Sequence, residues 1–168
     1  GTLDTFLLYR LSGREVFATE DTMAARTMLY GLKEGGWSDQ LCKDFRVDRA
    51  RLPAIRPSFC KHASFEDIPI VALLGDQQAA VLGRPGPAGL GLLNLGTIAS
   101  FVVETGSRII QKPGLMTSVL TSRAKHDGTE RVVEYLIETT SPITGTVLME
   151  PIRRQWSKDS GDMNAQCV

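Results

Sequence analysis

The first part of the chain carries apolar residues at helical spacing. Positions 3, 6, 7, 8 and 11 are apolar, which predicts a helix over 3–11 with Thr2 as its N-cap and Gly13 as its stop. A second helix is predicted after Asp21 and ends at Gly31. Its buried side is expected to consist of Met23, Ala24, Ala25, Met28 and Leu29.

Two further segments precede the middle of the chain. A helix is predicted over 39–45, because Ser38 is a favourable N-cap and Trp37 can pack back on the first turns. The segment 52–58 contains two prolines and is predicted to be a loop. The chain therefore opens with helices that are joined by irregular segments.

The run 69–74, with the sequence PIVALL, is almost continuously apolar and predicts a strand that is covered on both faces. A short helix follows this strand and ends at Gly83. Asp76 therefore lies just beyond the carboxyl end of a strand. Ligands bind at that edge in open α/β sheets, and a carboxylate there can serve as a general base.

The proline- and glycine-rich segment 84–89 interrupts the hydrophobic pattern and predicts an interdomain linker. After it the pattern predicts antiparallel strands over 90–95, 100–103, 115–121 and 131–138. An amphipathic helix is predicted over 145–156, and a polar tail follows over 157–168. The predicted fold class is α/β, with the end of one unit joined to the start of another.

Composition and charge restrict the possible functions. The 168 residues include nineteen basic and nineteen acidic side chains without a block of one sign, so no nucleic acid or anionic membrane is expected as a partner. The three cysteines have no paired spacing, which argues against a disulfide framework or a zinc site and fits a reducing cytoplasm. The chain opens on Gly1 rather than Met, which is expected of a segment of a longer protein.

The string Gly75-Asp76-Gln77-Gln78 has two interpretations. Asp76 can be a helix cap whose carboxylate accepts a backbone N–H near the positive end of the helix dipole. It can also be a catalytic group, because two amides in the first helical turn leave space in which polar groups meet a ligand. The string by itself leaves both interpretations open.

Five other positions are also open to two interpretations. Gly96 and Thr97 can form an ordinary glycine turn, or their backbone N–H groups and the Thr97 hydroxyl can hold a phosphate. His62 and His126 have no partner at metal spacing and are expected to be solvent-exposed or locally bonded. Arg26 is expected either to extend past its apolar helix into solvent or to reach an anionic group.

Five segments that follow in order resemble one known family. They are 1–11 (GTLDTFLLYRL), 22–29 (TMAARTML), Leu52-Pro53, 75–80 (GDQQAA) and Gly96-Thr97. With these segments the chain resembles the FGGY family of carbohydrate kinases, and among its members it is most similar to glycerol kinases. The resemblance continues through 114–117 and 145–156, so it covers nearly everything up to Trp156.

The resemblance implies two ribonuclease H-like domains, as in actin and hexokinase, that close around ATP and a polyol or sugar. Residues 1–83 then correspond to the C-terminal part of the N-terminal domain, on the substrate side. Residues 90–156 correspond to the N-terminal part of the C-terminal domain, and 84–89 joins the two. The implied reaction is ATP-dependent phosphorylation of a hydroxyl group.

The resemblance also implies roles for single residues. Asp76 corresponds to the catalytic base, which takes the proton of the substrate hydroxyl and contacts Mg²⁺ indirectly through Mg-ATP. Gln77 corresponds to a substrate-binding residue. Gly96 and Thr97 correspond to the hairpin that contacts the nucleotide phosphates. The implied cofactors are ATP and Mg²⁺.

Two positions depart from the family pattern. Ile98 stands where glycerol kinases usually have Gly or Ser, and Ser100 stands where they usually have an aromatic residue. A β-branched residue does not easily take positive φ, so the hairpin geometry or the substrate wall is expected to differ. Which hydroxyl compound is phosphorylated therefore stays open.

Two functional hypotheses follow. The first is a cytoplasmic, homo-oligomeric polyol or sugar kinase, of which the isolated 168-residue segment is expected to be inactive and to bind ATP weakly. The second is a catalytically silent structural or regulatory interaction module, in which Asp76 is only a helix cap. Neither hypothesis includes a nucleic acid or a membrane as a partner.

Overall fold

The computed structural model of the chain describes residues 1–85, 87, 89–95, 99–125, 131–140 and 154. The helices are α1 (Leu3–Leu11), α2 (Asp21–Ala25), α3 (Asp39–Asp44) and α4 (Asp76–Gly83). The strands are β1 (Ala18–Glu20), β2 (Tyr30–Gly31), β3 (Gly36–Trp37), β4 (Ala54–Arg56), β5 (Phe59–Phe65), β6 (Ile68–Ala72), β7 (Gly91–Leu95), β8 (Ala99–Gly106), β9 (Met116–Ala124) and β10 (Arg131–Thr140).

The main sheet has six strands in the order β6-β5-β9-β10-β8-β7. Neighbouring strands are antiparallel except β5 and β9, which pair in parallel where Phe59 lies opposite Arg123. Two small sheets accompany it, a parallel pair of β1 and β4 and an antiparallel pair of β2 and β3. Strands from both sides of the predicted linker therefore lie in one sheet.

Two apolar clusters pack on the strands β9 and β10. Val119 and Tyr135 belong to a cluster with Ala24 and Tyr30, which lie in α2 and β2. The next residue on each strand, Leu120 and Leu136, belongs to a second cluster with Val81 of α4 and Val102 of β8. Because successive strand residues point to opposite faces, the sheet is packed on both faces here, with α2 on one and α4 on the other.

Several predicted elements are confirmed. The helices α1, α3 and α4 begin and end within one residue of their predicted bounds. Ser38 caps α3 as expected, because its hydroxyl accepts a hydrogen bond from the N–H of Leu41 at 3.4 Å. The four strands predicted after the linker are β7 to β10, and β8 to β10 are longer than predicted.

The second helix is shorter than predicted. It ends at Ala25 instead of continuing toward Gly31, and Met28 is exposed at a φ of 64° rather than buried. Thr27 gives a local reason, because its hydroxyl donates to the carbonyl of Ala24 at 2.7 Å and accepts from the N–H of Leu29 at 3.2 Å. A side chain that bonds the nearby backbone in this way competes with the helical hydrogen bonds.

Two predictions about strands were wrong. The segment 52–58 is not all loop, because it contains β4, which pairs with β1. The apolar run at 69–74 forms the strand β6, but that strand is the outermost of the main sheet and is not covered on both faces, since 56% of Val71 is exposed. The strand β5 was not predicted at all, because its sequence FCKHASF lacks a regular alternation.

Other predictions concern residues outside the described ranges. The turn around His126, most of the helix over 145–156 and the tail over 157–168 fall there. The division into domains at 84–89 stays a prediction. Within the described parts of the chain, no helix is long and apolar enough to cross a membrane.

Candidate active site

Two hydrogen bonds fix the connection from β6 to α4. The N–H of Leu73 donates to the carbonyl of Ser58 at 3.0 Å, and the N–H of Gly75 donates to Oγ1 of Thr22 at 2.9 Å. Gly75 holds the N-cap position, so Asp76 is the first residue of the helix. The predicted position of Asp76, just after the end of a strand, is confirmed.

The carboxylate of Asp76 is exposed and does not cap the helix. A capping side chain accepts from the second or third helical N–H, and here the cap position belongs to Gly75, which has no side chain. Oδ1 of Asp76 instead accepts a hydrogen bond from the adjacent N–H of Gln77 at 2.8 Å. Among the described residues this is the one hydrogen bond to the Asp76 side chain, so Oδ2 is available to a ligand.

The side chain of Gln77 is held at both ends of its amide. Its Oε1 accepts a hydrogen bond from Nη2 of Arg26 at 2.8 Å, and its Nε2 donates to Oγ of Ser100 at 3.1 Å. Gln77 is half-buried, and its backbone N–H bonds the carboxylate of Asp76, which begins the same helix. Asp76 and Gln77 therefore form a carboxylate–amide pair at one edge of the fold.

Gln78 has a structural role rather than the ligand contact that its position suggested. It is 1% exposed, and its Nε2 donates to the backbone carbonyl of Val119 at 3.1 Å. Successive residues of a helix point about 100° apart, so Gln78 reaches the backbone of β9 while Gln77 reaches Ser100 on β8 and Arg26. The space that both amides were expected to share is open to Gln77 alone.

A cavity of about 480 Å³ lies beside Asp76, between α1 and the connection from β6 to α4. Its wall is mainly apolar, but Asp4 and Asp76 also line it. Oδ2 of Asp4 accepts a hydrogen bond from the Thr19 hydroxyl at 2.7 Å, whereas its buried Oδ1 has no hydrogen-bond partner among the described residues. The cavity therefore offers the exposed carboxylate of Asp76 to a ligand hydroxyl within an apolar wall.

The predicted phosphate hairpin lies only partly in the described ranges. Gly96, Thr97 and Ile98 fall outside them, while Leu95 and Ala99 on either side pair with each other. Ser100 follows Ala99 on β8, and its hydroxyl is the acceptor for Gln77. The strand that leaves the hairpin thus contacts the carboxylate–amide pair directly.

Arg26 and Glu138 complete the surroundings of Gln77, and the sequence did not identify them as a pair. Nη1 of Arg26 contacts Oε1 of Glu138 in an ion pair, and Nη2 lies 3.1 Å from Oε2. Glu138 is 2% exposed. Of the two expectations for Arg26, the structure supports contact with an anionic group.

Two buried acidic residues, Glu20 and Asp21, stabilise the helix α2 next to this site. Glu20 caps α2 by accepting hydrogen bonds from the N–H groups of Thr22 and Met23, and burial raises the pKa of the Glu20 carboxyl. Asp21 is fully buried, where it contacts Nη1 of Arg131 at 3.1 Å and the Tyr30 hydroxyl at 2.8 Å. Both acids therefore hold α2, whose Thr22 fixes Gly75.

His62 and the other possible metal ligands among the described residues do not add a metal site. His62 is buried rather than solvent-exposed, and its Nε2 lies 3.4 Å from the Ser58 carbonyl, so the expectation of local bonding is confirmed. Burial lowers the pKa of His62. Within the described residues, no group of three or more His, Cys, Asp or Glu side chains could hold a metal ion.

Known sequences are similar to this chain over most of its length. The model of the FGGY family of carbohydrate kinases, N-terminal domain, matches residues 1–83. A glycerol kinase of Halalkalibacterium halodurans is 34% identical over 168 residues, which cover 95% of this chain and 31% of that protein. The chain therefore spans about a third of the length of the curated relatives that it matches.

Solved structures agree with this similarity. The crystal structure of Plasmodium falciparum glycerol kinase with ADP has a TM-score of 0.76 at 22% identity, over 95% of this chain and 32% of that one. Ligand-bound xylulose kinase from Lactobacillus acidophilus has a TM-score of 0.66 at 18% identity, over 93% of this chain and 31% of that one. The predicted ribonuclease H-like α/β fold of the actin and hexokinase type is thereby confirmed. With this fold, the match over residues 1–83 and the similarity to glycerol kinases, the chain belongs to the FGGY family of carbohydrate kinases.

Proposed function

We propose that the complete gene product containing this chain catalyses ATP-dependent phosphorylation of a hydroxyl group of a polyol or sugar. The family supports the reaction class, and the glycerol kinases among the relatives support a sugar alcohol as substrate. The observation that carries the proposal is the exposed carboxylate of Asp76, whose Oδ1 accepts from the N–H of Gln77 and whose Oδ2 has no hydrogen-bond partner among the described residues.

Asp76 acts as the general base in this proposal. Its Oδ1 is held by the N–H of Gln77, and its Oδ2 accepts the proton of the substrate hydroxyl as that oxygen attacks the γ-phosphate. Phosphoryl transfer requires mainly positioning and charge stabilisation. A carboxylate on the first turn of a helix provides the positioning. The helix and the hydrogen bond from the N–H of Gly75 to Thr22 hold the backbone of Asp76 in place.

Gln77 binds the substrate, and the hairpin binds the nucleotide. Gln77 uses the part of its amide that Arg26 and Ser100 leave free. Gly96 and Thr97 contact the nucleotide phosphates through backbone N–H groups and a hydroxyl, as their correspondence to the family's hairpin implies.

ATP is the proposed phosphate donor, and it is proposed to bind as its complex with Mg²⁺. Mg²⁺ keeps several of its waters when it is bound with substrate phosphates, so the exposed carboxylate of Asp76 would act on those waters rather than bind the ion itself. When bound, Mg²⁺ neutralises charge on the phosphates. Asp76 then contributes indirectly, by orienting the ligands of a metal that enters with ATP.

The chain is proposed to contain parts of two domains and to belong to a homo-oligomer. Residues 1–83 form the C-terminal part of a substrate-side domain, 84–89 is the linker, and 90–156 begins the second domain. The active protein is a cytoplasmic homo-oligomer. The match of the family's N-terminal domain to residues 1–83 supports the first of these boundaries.

A phosphorylation screen tests the proposal. The complete gene product is supplied with ATP and, in turn, glycerol, pentuloses and hexoses, and we expect turnover with at least one of them. Asp76→Asn should lower kcat by about 10²- to 10⁴-fold, since a positioned general base contributes that much. Asp67→Asn is the matched control, because Asp67 is also exposed but lies between β5 and β6. Equal turnover by Asp76→Asn would remove Asp76 from the role of base.

A second candidate function is a catalytically silent interaction module of the same fold. The observation compatible with it is the exposed side chain of Asp76, whose one hydrogen bond among the described residues is to the adjacent N–H of Gln77. A folded gene product that accepts no substrate in the screen would support this alternative and contradict the kinase proposal.

A further inference from the structure

We propose that Arg26 is a positioning residue that fixes the orientation of the Gln77 amide, and that Glu138 in turn holds Arg26. This inference rests on the proposed function, because it assigns a task to Gln77 in substrate binding. Arg26 is not next to the reacting groups in sequence: it lies 51 positions before Gln77 and 112 positions before Glu138. The fold alone brings the three side chains together.

The chemistry of the guanidinium decides which way the amide of Gln77 points. Arginine has five N–H donors and no acceptor, so the atom that faces Nη2 of Arg26 at 2.8 Å must be the amide oxygen. The amide nitrogen then faces Ser100, whose hydroxyl oxygen accepts one of its two hydrogens at 3.1 Å. Gln77 is thereby left with one N–H to offer a ligand.

Glu138 fixes the guanidinium group of Arg26, and with it the orientation of the Gln77 amide. Both nitrogens at the tip of Arg26 contact its carboxylate, Nη1 with Oε1 and Nη2 with Oε2. Such a two-pronged contact fixes the plane of the guanidinium as well as its position. Glu138 is 2% exposed, so its carboxylate is enclosed by protein and needs a cation as partner. Lysine carries the same charge on a single nitrogen and cannot reproduce this geometry.

The network has a consequence for the substrate. Asp76 accepts a proton from the attacking hydroxyl, whereas Gln77 offers its remaining N–H to an oxygen, since Arg26 turns the amide oxygen toward itself. A hydrogen bond donated to the attacking oxygen would make that oxygen a weaker nucleophile, so we assign the Gln77 donor to a second hydroxyl group on the same substrate. The substrate class is therefore a polyol or sugar with a second hydroxyl close to the one that is phosphorylated.

The network also joins the two sides of the predicted linker. Arg26 and Gln77 precede the segment 84–89, whereas Ser100 and Glu138 follow it, on β8 and β10. The donor that Gln77 presents therefore depends on strands from the far side of the linker. Substitutions at Glu138, which does not contact Asp76 in the described hydrogen bonds, should alter substrate binding through Arg26.

Steady-state kinetics of the complete gene product test this inference, with a polyol that the screen identifies. Arg26→Lys should raise KM for the polyol about tenfold, the effect of losing one well-placed hydrogen bond, while kcat changes less than about threefold and KM for ATP stays the same. Glu138→Gln should raise the same KM by a smaller factor, because it keeps the shape but loses the ion pair.

A substrate analogue and a control variant separate positioning from general damage. With the deoxy analogue that lacks the second hydroxyl, wild type should already show the raised KM, and Arg26→Lys should raise it no further. Arg84→Lys is the control, because Arg84 also forms an ion pair, with Glu104 at 2.8 Å, and this pair does not include Gln77. It should leave KM for the polyol unchanged.

The outcomes distinguish this inference from the function on which it rests. An active wild type with an unchanged polyol KM in Arg26→Lys, or with the same increase in Arg84→Lys, would overturn the positioning role and leave the kinase proposal standing. An equal increase of KM for the polyol and its deoxy analogue would overturn the two-hydroxyl recognition. A wild type that accepts no hydroxyl compound would overturn the proposed function and the positioning role together.

Discussion

The side-chain amide of Gln78 donates a hydrogen bond to the backbone carbonyl of Val119, 3.1 Å away and 41 positions later in the chain. This contact fastens α4 to the strand β9 directly behind the carboxylate–amide pair of Asp76 and Gln77. Gly75 is part of the arrangement, since a Cβ added there would lie 2.4 Å from Oε1 of Gln78. The helix that carries the candidate base is therefore positioned by a buried amide and a glycine.

Gly75→Ala should destabilise the protein by about 1–2 kcal/mol, because the new methyl group displaces the buried Gln78 amide and weakens its hydrogen bond to Val119. Urea unfolding measures the difference. Gly83→Ala is the control at the other end of the same helix, where a Cβ meets nothing within 4 Å. It should be neutral or slightly stabilising. Equal effects of the two substitutions would contradict the close contact at Gly75.

Local signals in the sequence were sufficient for the elements around the site. Ser38 marks the start of α3 and Gly83 the end of α4, and the alternating runs after the linker predict β7 to β10. Caps and alternation depend on neighbours a few positions away, so one sequence suffices to recognise them. The position of Asp76 at the start of a helix after a strand could be predicted for the same reason.

Long-range relations could not be predicted in this way. The apolar run of β6 indicates that the strand can be covered, but not that it forms the outer edge of the sheet. The sequence placed Gln77 and Gln78 together, and only the packing of α4 on the sheet decides that Gln78 is the buried one. The contact of Arg26 with Glu138 joins residues 112 positions apart, for which spacing carries no signal.

Asp21→Asn should destabilise the protein by about 3 kcal/mol. Asp21 is fully buried and contacts Arg131 with both carboxylate oxygens, so the neutral amide leaves the guanidinium without its counter-charge. Glu134→Gln is the control, because the ion pair of Glu134 with Arg123 lies at the surface, and its loss should cost less than about 1 kcal/mol. Urea unfolding at neutral pH measures the loss of unfolding free energy in both variants relative to the wild type. A loss in Asp21→Asn no larger than in Glu134→Gln would contradict the role of Asp21.

The buried carboxyl of Glu20 should make stability depend on pH. Burial raises the pKa of Glu20 in the folded state above its ordinary value of 4.5, so the folded protein holds this proton more tightly than the unfolded chain. The resulting stabilisation is complete below pH 4.5 and is lost as pH rises through the higher folded pKa.

The variant Glu20→Gln cannot lose this proton. We therefore expect the free energy of unfolding of the wild type to fall relative to that of Glu20→Gln as pH is raised from 4 to 8, with the change centred above 4.5. Urea unfolding at five or more pH values gives both curves. Two parallel curves, or a difference that grows toward acid pH instead, would contradict the raised pKa.

The exposed face of α1 should make the isolated 168-residue chain self-associate. Leu3, Phe6 and Leu7 lie on one face of this helix, and 59% of Phe6 is exposed, whereas Asp4 and Leu8 are buried on the other. Residues three and four positions apart form a continuous surface, and an apolar surface of this kind is covered by another protein surface where one is available.

Phe6→Gln should shift the isolated chain toward monomer in size-exclusion chromatography with light scattering, because glutamine is a good helix former that removes the apolar ring. Phe45→Gln is the matched control, since Phe45 is exposed to a similar extent, 52%, but directly follows α3. It should leave the mass distribution of the wild type unchanged. A wild-type chain that elutes as a monomer, or equal shifts in both variants, would show that the face of α1 does not mediate association.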